Sequence, residues 1–166
     1  LLKQIISCLN NTPHFESALQ IVKEVINDNS QKLSTTSWNS TNCILKFFNK
    51  YNKTKFVKSD GIANNLSGYK RVIEILNYLK ADTYISALGG KFYLPHEEFE
   101  RKGIEVKYPI YDLSPYPQKF GSFDPFVSCL DLISNVGRSG LDQSSFNLIN
   151  WREHKNEDLN VSYNLD

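Results

Sequence analysis

The chain has 166 residues, 40% hydrophobic and 22% charged, an ordinary globular composition for a single domain burying roughly two-thirds of its unfolded surface. Nineteen basic and eighteen acidic side chains leave a formal charge of +1, so no global field draws the protein to nucleic acid or to an anionic membrane. No apolar run reaches the ~18 residues of a membrane span, and "LLKQIISCLNN" lacks the apolar length and cleavage site of a secretory signal.

"PHFESALQIVKEVIND" (13–28) has apolar residues at 15, 18, 19, 21, 22, 25 and 26, which predicts a helix with Pro near its start. "STTSWNSTNCILKFFNKYN" (34–52) reads as a second helix, "TKFVKSD" (54–60) as a short strand ending at Asp60, and "GIANNLSG" as a loop. Helical spacing returns over 67–82 through Val72, Ile73, Ile75, Leu76 and Leu79, followed by a strand at 83–88. A short helix at 96–103 stops at Gly103, and 104–112 is a strand again. This alternation argues for βαβ units. In "DPFVSCLDLISNVG" (124–137) Asp124 reads as an N-cap, Pro125 as the first helical residue and Gly137 as the stop of a mostly buried helix. Residues 138–166 are polar and weakly patterned, a flexible tail with one helical turn near Trp151. The expected fold is α/β: two helices, then a small parallel sheet of βαβ units with helices packed on it, in one domain over 1–137.

"TYISALGGKFYLPHEEF" (83–99) sets Gly-Gly-Lys between a strand and a helix. It is not a Walker A loop, since Phe92 follows Lys91 and no Gly lies five residues before Gly90, and it is not a GxGxxG fingerprint. Gly89 and Gly90 permit positive φ and close approach of backbone to a ligand, with Lys91 as a point charge and Tyr93 as a hydroxyl. The plainer alternative is a turn with a solvated lysine. Asp60 ends its strand either beside the same crevice or as a cap on the next loop.

Ser128, Asp131 and Asn135 stand at i, i+3 and i+7, one narrow face of an otherwise apolar helix. Such a line either meets satisfied partners or faces a wet pocket, where Asp131 acts as general base or substrate anchor. Cys129 is offset from it and reads as core. A Ser-His-Asp triad is not supported, because Ser128 is on no GxSxG elbow and the histidines are only His14, His96 and His154. Tyr111, Tyr116 and Phe120 bracket Pro115, Pro117 and Gln118, either to stack a sugar or base and grip it with the amide, or as a Pro-locked crossover. Arg71 reads as a solvated or Asp-paired surface residue, and Glu97, Glu98, Glu100, Arg101 and Lys102 as a solvated helix face. No His, Cys or carboxylate pattern forms a metal site, and no cofactor is implied. Cys8, Cys43 and Cys129, odd in number and widely spaced, read as buried reduced thiols. Five Asn-x-Ser/Thr triplets are expected by chance in so Asn-rich a chain, and the lack of any Met implies that residue 1 is not a native start.

In order and spacing, "TPHF" (12–15), "YKRVIEILNYLKADTYISALGGKFYL" (69–94), "GIEV" (103–106), "YPQKFGSF" (116–123) and "SCLDLISNVG" (128–137) resemble the WbqC-like protein family of bacteria. The matching positions include Arg71, Tyr84, Ser86, Gly90, Tyr93, Tyr116, Gln118, Ser128, Asp131, Asn135 and Gly137. Ala87 and Lys80 stand where the family usually has Gly, and the family's Tyr-, Pro- and Gly-rich N-terminal stretch is absent. The resemblance is therefore to the C-terminal two-thirds of such a protein.

Members typically occur among genes for surface polysaccharides such as the O-antigen of lipopolysaccharide. The resemblance thus implies a cytoplasmic transferase adding an acyl or aminoacyl group to a nucleotide-linked amino sugar. Asp131 and Ser128 are the catalytic candidates; Ser86, Gly89, Gly90, Lys91, Tyr93, Tyr116, Gln118, Asn135 and Asp60 are the substrate-binding candidates, and the Gly-Gly-Lys loop and the Ser128/Asp131/Asn135 stripe are expected to line one pocket. The alternative is a non-catalytic module binding a sugar nucleotide or a protein of the assembly machinery. Neither reading involves nucleic acid or membrane insertion.

Overall fold

A computed structural model describes residues 2–28, 30–50 and 54–156. The elements in order are α1 (Leu2–Leu9), α2 (Phe15–Asn27), α3 (Leu33–Phe47), α4 (Gly68–Leu79), β1 (Thr83–Ile85), a 3-10 turn (Leu88–Phe92), α5 (His96–Arg101), β2 (Glu105–Leu113), α6 (Cys129–Val136), a second 3-10 turn (Gly137–Gln143), β3 (Ser144–Asn150) and α7 (Trp151–Asn156). The chain divides into two compact units, one of Leu1–Phe56 with Asp112–Ser145, the other of Val57–Tyr111 with Phe146–Asp166.

The first unit is helical. The apolar face expected of α2 buries Ala18, Leu19, Ile21 and Val22. Ala18 and Ile21 join Leu9 and Ile133 in a core flanked by Phe15, Ile44, Phe47 and Leu130. The small Ala18, fully buried, suits close helix packing, and α2 contacts α1, α3 and α6. Two cations tie loops to helix C-termini, where unpaired carbonyls and the helix dipole favour positive charge. Lys119 Nζ donates to Asn10 O at 2.7 Å and Asn10 Oδ1 at 2.6 Å, just beyond α1. Arg138 donates to Phe47 O at the end of α3.

The second unit holds a three-stranded sheet of order β1-β2-β3. β1 and β2 are parallel, with Thr83 opposite Glu105 and Ile85 opposite Lys107. They are joined through α5, so the expected βαβ unit is present. Its core gathers Ile73 and Leu76 from α4, Leu94, Phe99, Ile104, Val106, Tyr108 and Trp151. Tyr84 stacks on Phe99 with ring centroids 5.7 Å apart.

Several local expectations are corrected. The sheet is mixed rather than all-parallel, because residues 144–150 supply β3. Ordered elements therefore continue past Gly137 to Asn156, with Trp151 buried; the rest of the expected tail, 157–166, lies outside the described residues. Residues 54–59 form no strand; Phe56 turns to Trp38, edge to face at 5.6 Å. The helix expected from Asp124 begins at Cys129, because Asp124 Oδ1 takes the Phe126 N–H at 2.8 Å in a local turn and Ser128 is the N-cap. Phe126, Val127 and Cys129 are exposed rather than core, as is Cys8, while Cys43 is half-buried; all three thiols are free.

Candidate functional site

In the helical unit the loop before α6 folds back onto it. Gln118 is fixed at both ends of its amide: Asp124 N–H donates to Oε1 at 2.7 Å, and Nε2 donates to Asp124 O at 2.9 Å. With the amide so oriented, Nε2 also reaches Asp131 Oδ2 at 3.1 Å and Tyr116 Oη at 3.1 Å. Tyr116 in turn donates its hydroxyl to the same Asp131 oxygen at 2.9 Å. Its ring packs edge-on against Phe123 at 5.2 Å.

Asp131 is half-buried on the first turn of α6. Both donors to its Oδ2 are neutral; among the described residues nothing donates to Oδ1 and no cation pairs with the carboxylate. The result is a charged group held in one orientation with one oxygen open. Burial pushes the Tyr116 phenol up to about 12, with the adjacent Asp131 charge adding to the rise and the Gln118 bond opposing it. Tyr116 therefore stays a neutral donor across the physiological range.

The rest of the polar stripe is occupied locally. Ser128 Oγ accepts the Leu130 N–H at 3.2 Å and is the helix N-cap. Asn135 Nδ2 donates at 2.9 Å, and Ser134 Oγ at 3.0 Å, to the backbone carbonyl of Asp131 rather than to its carboxylate. At the far end of α6, Gly137 has φ +69°, and a Cβ there would stand 2.9 Å from the His14 ring. His14 N–H donates to Ser134 O at 2.8 Å. "TPHF" and "SNVG" thus form one packing unit.

The remaining candidates belong to the sheet-containing unit. Gly-Gly-Lys lies in the 3-10 turn, and neither Gly89 nor Gly90 has positive φ. The Gly90 N–H is used internally, donating to Ala87 O at 2.8 Å. A Cβ on Gly90 would lie 2.2 Å from Ser86 Oγ, so this glycine makes room for the buried Ser86. Ser86 Oγ donates to Ala87 O at 3.2 Å. Gly89 and Tyr93 are exposed, Lys91 is half-buried, and Asp60 lies in an exposed turn.

Some roles were not visible in the sequence. Arg71 gathers the 59–64 loop, donating through Nη2 to Ser59 O at 3.1 Å and Asn64 Oδ1 at 3.2 Å, and through Nε to Ile62 O at 3.4 Å. Glu100, expected to be only solvated, accepts from Trp151 Nε1 at 2.8 Å and pairs with Arg152. His96 Nε2 and Tyr108 Oη lie 2.7 Å apart in the core, with His96 stacked on Trp151. A lone histidine at a helix start carries no sequence signal for such a contact. Among the described residues no group of His, Cys, Asp or Glu is arranged to hold a metal ion, and no helix is long and apolar enough to cross a membrane.

The profile of the WbqC-like protein family matches residues 1–143, most of the chain. The chain belongs to the WbqC-like protein family. That match takes in the Tyr116–Gln118–Asp131 constellation and the Ser86–Gly90 contact. The uncharacterized protein Rv1507c of Mycobacterium tuberculosis is 32% identical over 74 residues, 44% of this chain and 32% of its own length. The match thus spans about a third of that relative. No solved structure matches the chain.

Proposed function

We propose that this WbqC-like chain serves as a cytoplasmic transferase of bacterial surface-polysaccharide (O-antigen or lipopolysaccharide) biosynthesis, acylating a nucleotide-linked amino sugar, with Asp131 as general base. The observation that carries this reading is the Asp131 carboxylate, oriented by Tyr116 and Gln118 through Oδ2 and open at Oδ1. In the proposed step the acceptor amine attacks the carbonyl carbon of the acyl donor and Oδ1 takes the amine proton; the carbonyl then re-forms as the donor's leaving group departs with the electron pair of its bond to that carbon. Tyr116 and Gln118 are positioning residues here, since their polar atoms are committed to Asp131 and Asp124.

A second reading, a non-catalytic module for a sugar nucleotide or an assembly partner, draws on two observations. Ser128 is engaged as a helix cap, and the Gly90 amide is engaged in its own turn. The test is Asp131→Asn, assayed by mass change of nucleotide-linked amino sugars incubated with acyl and aminoacyl donors. Loss of turnover with an unchanged melting temperature supports the base. An active Asp131→Asn protein sinks that role, and sugar-nucleotide stabilisation without turnover in the wild type selects the binding module.

A further inference from the structure

In the helical unit, α2 and α3 frame an open cleft of about 310 Å³, within the size range of small-molecule sites, with Glu24 and Arg138 exposed at its surface. Its α2 wall carries Gln20 and Glu24 and its α3 wall Cys43, Lys46 and Phe47, while Arg138 enters from the turn after α6. None of these belongs to the Asp131 constellation.

Glu24 accepts from two neutral donors, Gln20 Nε2 at 3.1 Å and Cys43 Sγ at 3.5 Å, and no described residue forms an ion pair with it. Arg138 donates through Nη1 to Phe47 O and lies 4.9 Å over the Phe47 ring. Its other N–H groups have no partner among the described residues. Glu24 is thus held at the level of Cys43 and Arg138 at the level of Phe47, one turn further along α3, a rise of about 6 Å. The two opposite charges face one cleft without pairing. A simple anion there meets the Glu24 carboxylate, and a simple cation meets Arg138 and Lys46. A small molecule with both charges a few bonds apart satisfies both ends.

We propose that this cleft binds a free amino acid, its ammonium at Glu24 and its carboxylate at Arg138, with Lys46 beside it. The inference does not depend on the role of Asp131.

The test is calorimetry and thermal shift of the full chain against the free amino acids. For any that binds, its amide, lacking the carboxylate, and its deaminated acid, lacking the ammonium, are tested beside it. At least one amino acid is expected to bind, with each truncated analogue weaker by about tenfold or more. Glu24→Gln and Arg138→Gln should each weaken it to a similar degree. Because Arg138 also caps α3, Glu24→Gln with an unchanged melting temperature is the decisive variant. An independent readout is alkylation: the bound amino acid should slow labelling of Cys43 but not of the exposed Cys8 and Cys129. If no amino acid binds or protects Cys43, or if the deaminated acid binds as well as the amino acid, the proposal is overturned. Turnover by Asp131→Asn reads the other proposal, so the two can fail separately.

Discussion

Gly90→Ala separates the two accounts of the Gly-Gly-Lys turn. The new Cβ would lie 2.2 Å from Ser86 Oγ, 2.9 Å from Leu94 Cδ1 and 3.3 Å from Ser86 Cβ. Rotating Ser86 removes the worst contact but gives up its bond to Ala87 O, a loss of about 0.5–1.5 kcal/mol. The contacts with Leu94 and Ser86 Cβ remain, and both residues are buried. Overpacking of this kind costs ~1–3 kcal/mol, so a destabilisation of about 2 kcal/mol is expected. Gly89→Ala is the control, because its Cβ meets nothing within 4 Å and its φ is not positive; it should be neutral or slightly stabilising. Urea unfolding followed by tryptophan fluorescence reports on this region, since Trp151 shares a core with Leu94. In a Ser86→Ala background the Gly90→Ala cost should shrink by about 1 kcal/mol. A Gly90→Ala protein as stable as Gly89→Ala, or a cost unchanged by Ser86→Ala, would refute the packing argument. Loss of ligand binding at full stability would instead support close approach of a ligand to this backbone.

Lys80 closes α4 in the left-handed conformation, φ 54° and ψ 39°, so Lys80→Gly should raise stability by about 1 kcal/mol in urea titration. Gly137→Ala should lose roughly 2 kcal/mol or more, because φ +69° with ψ −142° is a glycine conformation; His14→Ala should relieve the ring contact but not this strain. Burial is the first cause holding both Tyr108 and Tyr116 up at about 12. The unfolded chain loses these protons first, near pH ~10, so their contribution is complete below that pH and is lost as the pH rises through about 12. In phenolate absorbance a late-titrating component should be lost in each of Tyr108→Phe and Tyr116→Phe.

The sequence announced α2 and α4 because Ile, Val and Leu recur there on one face, and it announced the β1–α5–β2 unit through its alternation with Gly103 as stop. It misplaced the start of α6. Asp124-Pro125 reads as a helix start, yet four residues on Ser128-x-x-Asp131 has the spacing of a capping box, and it is Ser128 that caps the helix. β3 was hidden for a different reason. Phe146 and Leu148, its most apolar residues on one side, are the exposed ones, while Ile149 packs on the core, so the pattern ran against the burial. α1 is only eight residues long and gave too short a period to register. At the candidate site, the helical spacing singled out Asp131, but not that Tyr116 and Gln118 would share one of its oxygens. That contact depends on a loop fold fixed by the Gln118–Asp124 backbone clamp, which no periodicity encodes.

The two units interleave along the chain, each assembled from an early stretch and a late one. On a ribosome the peptide emerges from its N-terminus, so α1–α3 must wait for α6 before their shared core closes around Ile133. The sheet-containing unit waits longer still, for Trp151. Neither half can be finished while the other is unwritten. Long-range closure of this kind slows folding and prolongs the exposure of apolar faces. A translation product that ends before Ile133 would therefore carry two unsealed cores rather than one folded half, a marked substrate for chaperones and proteases.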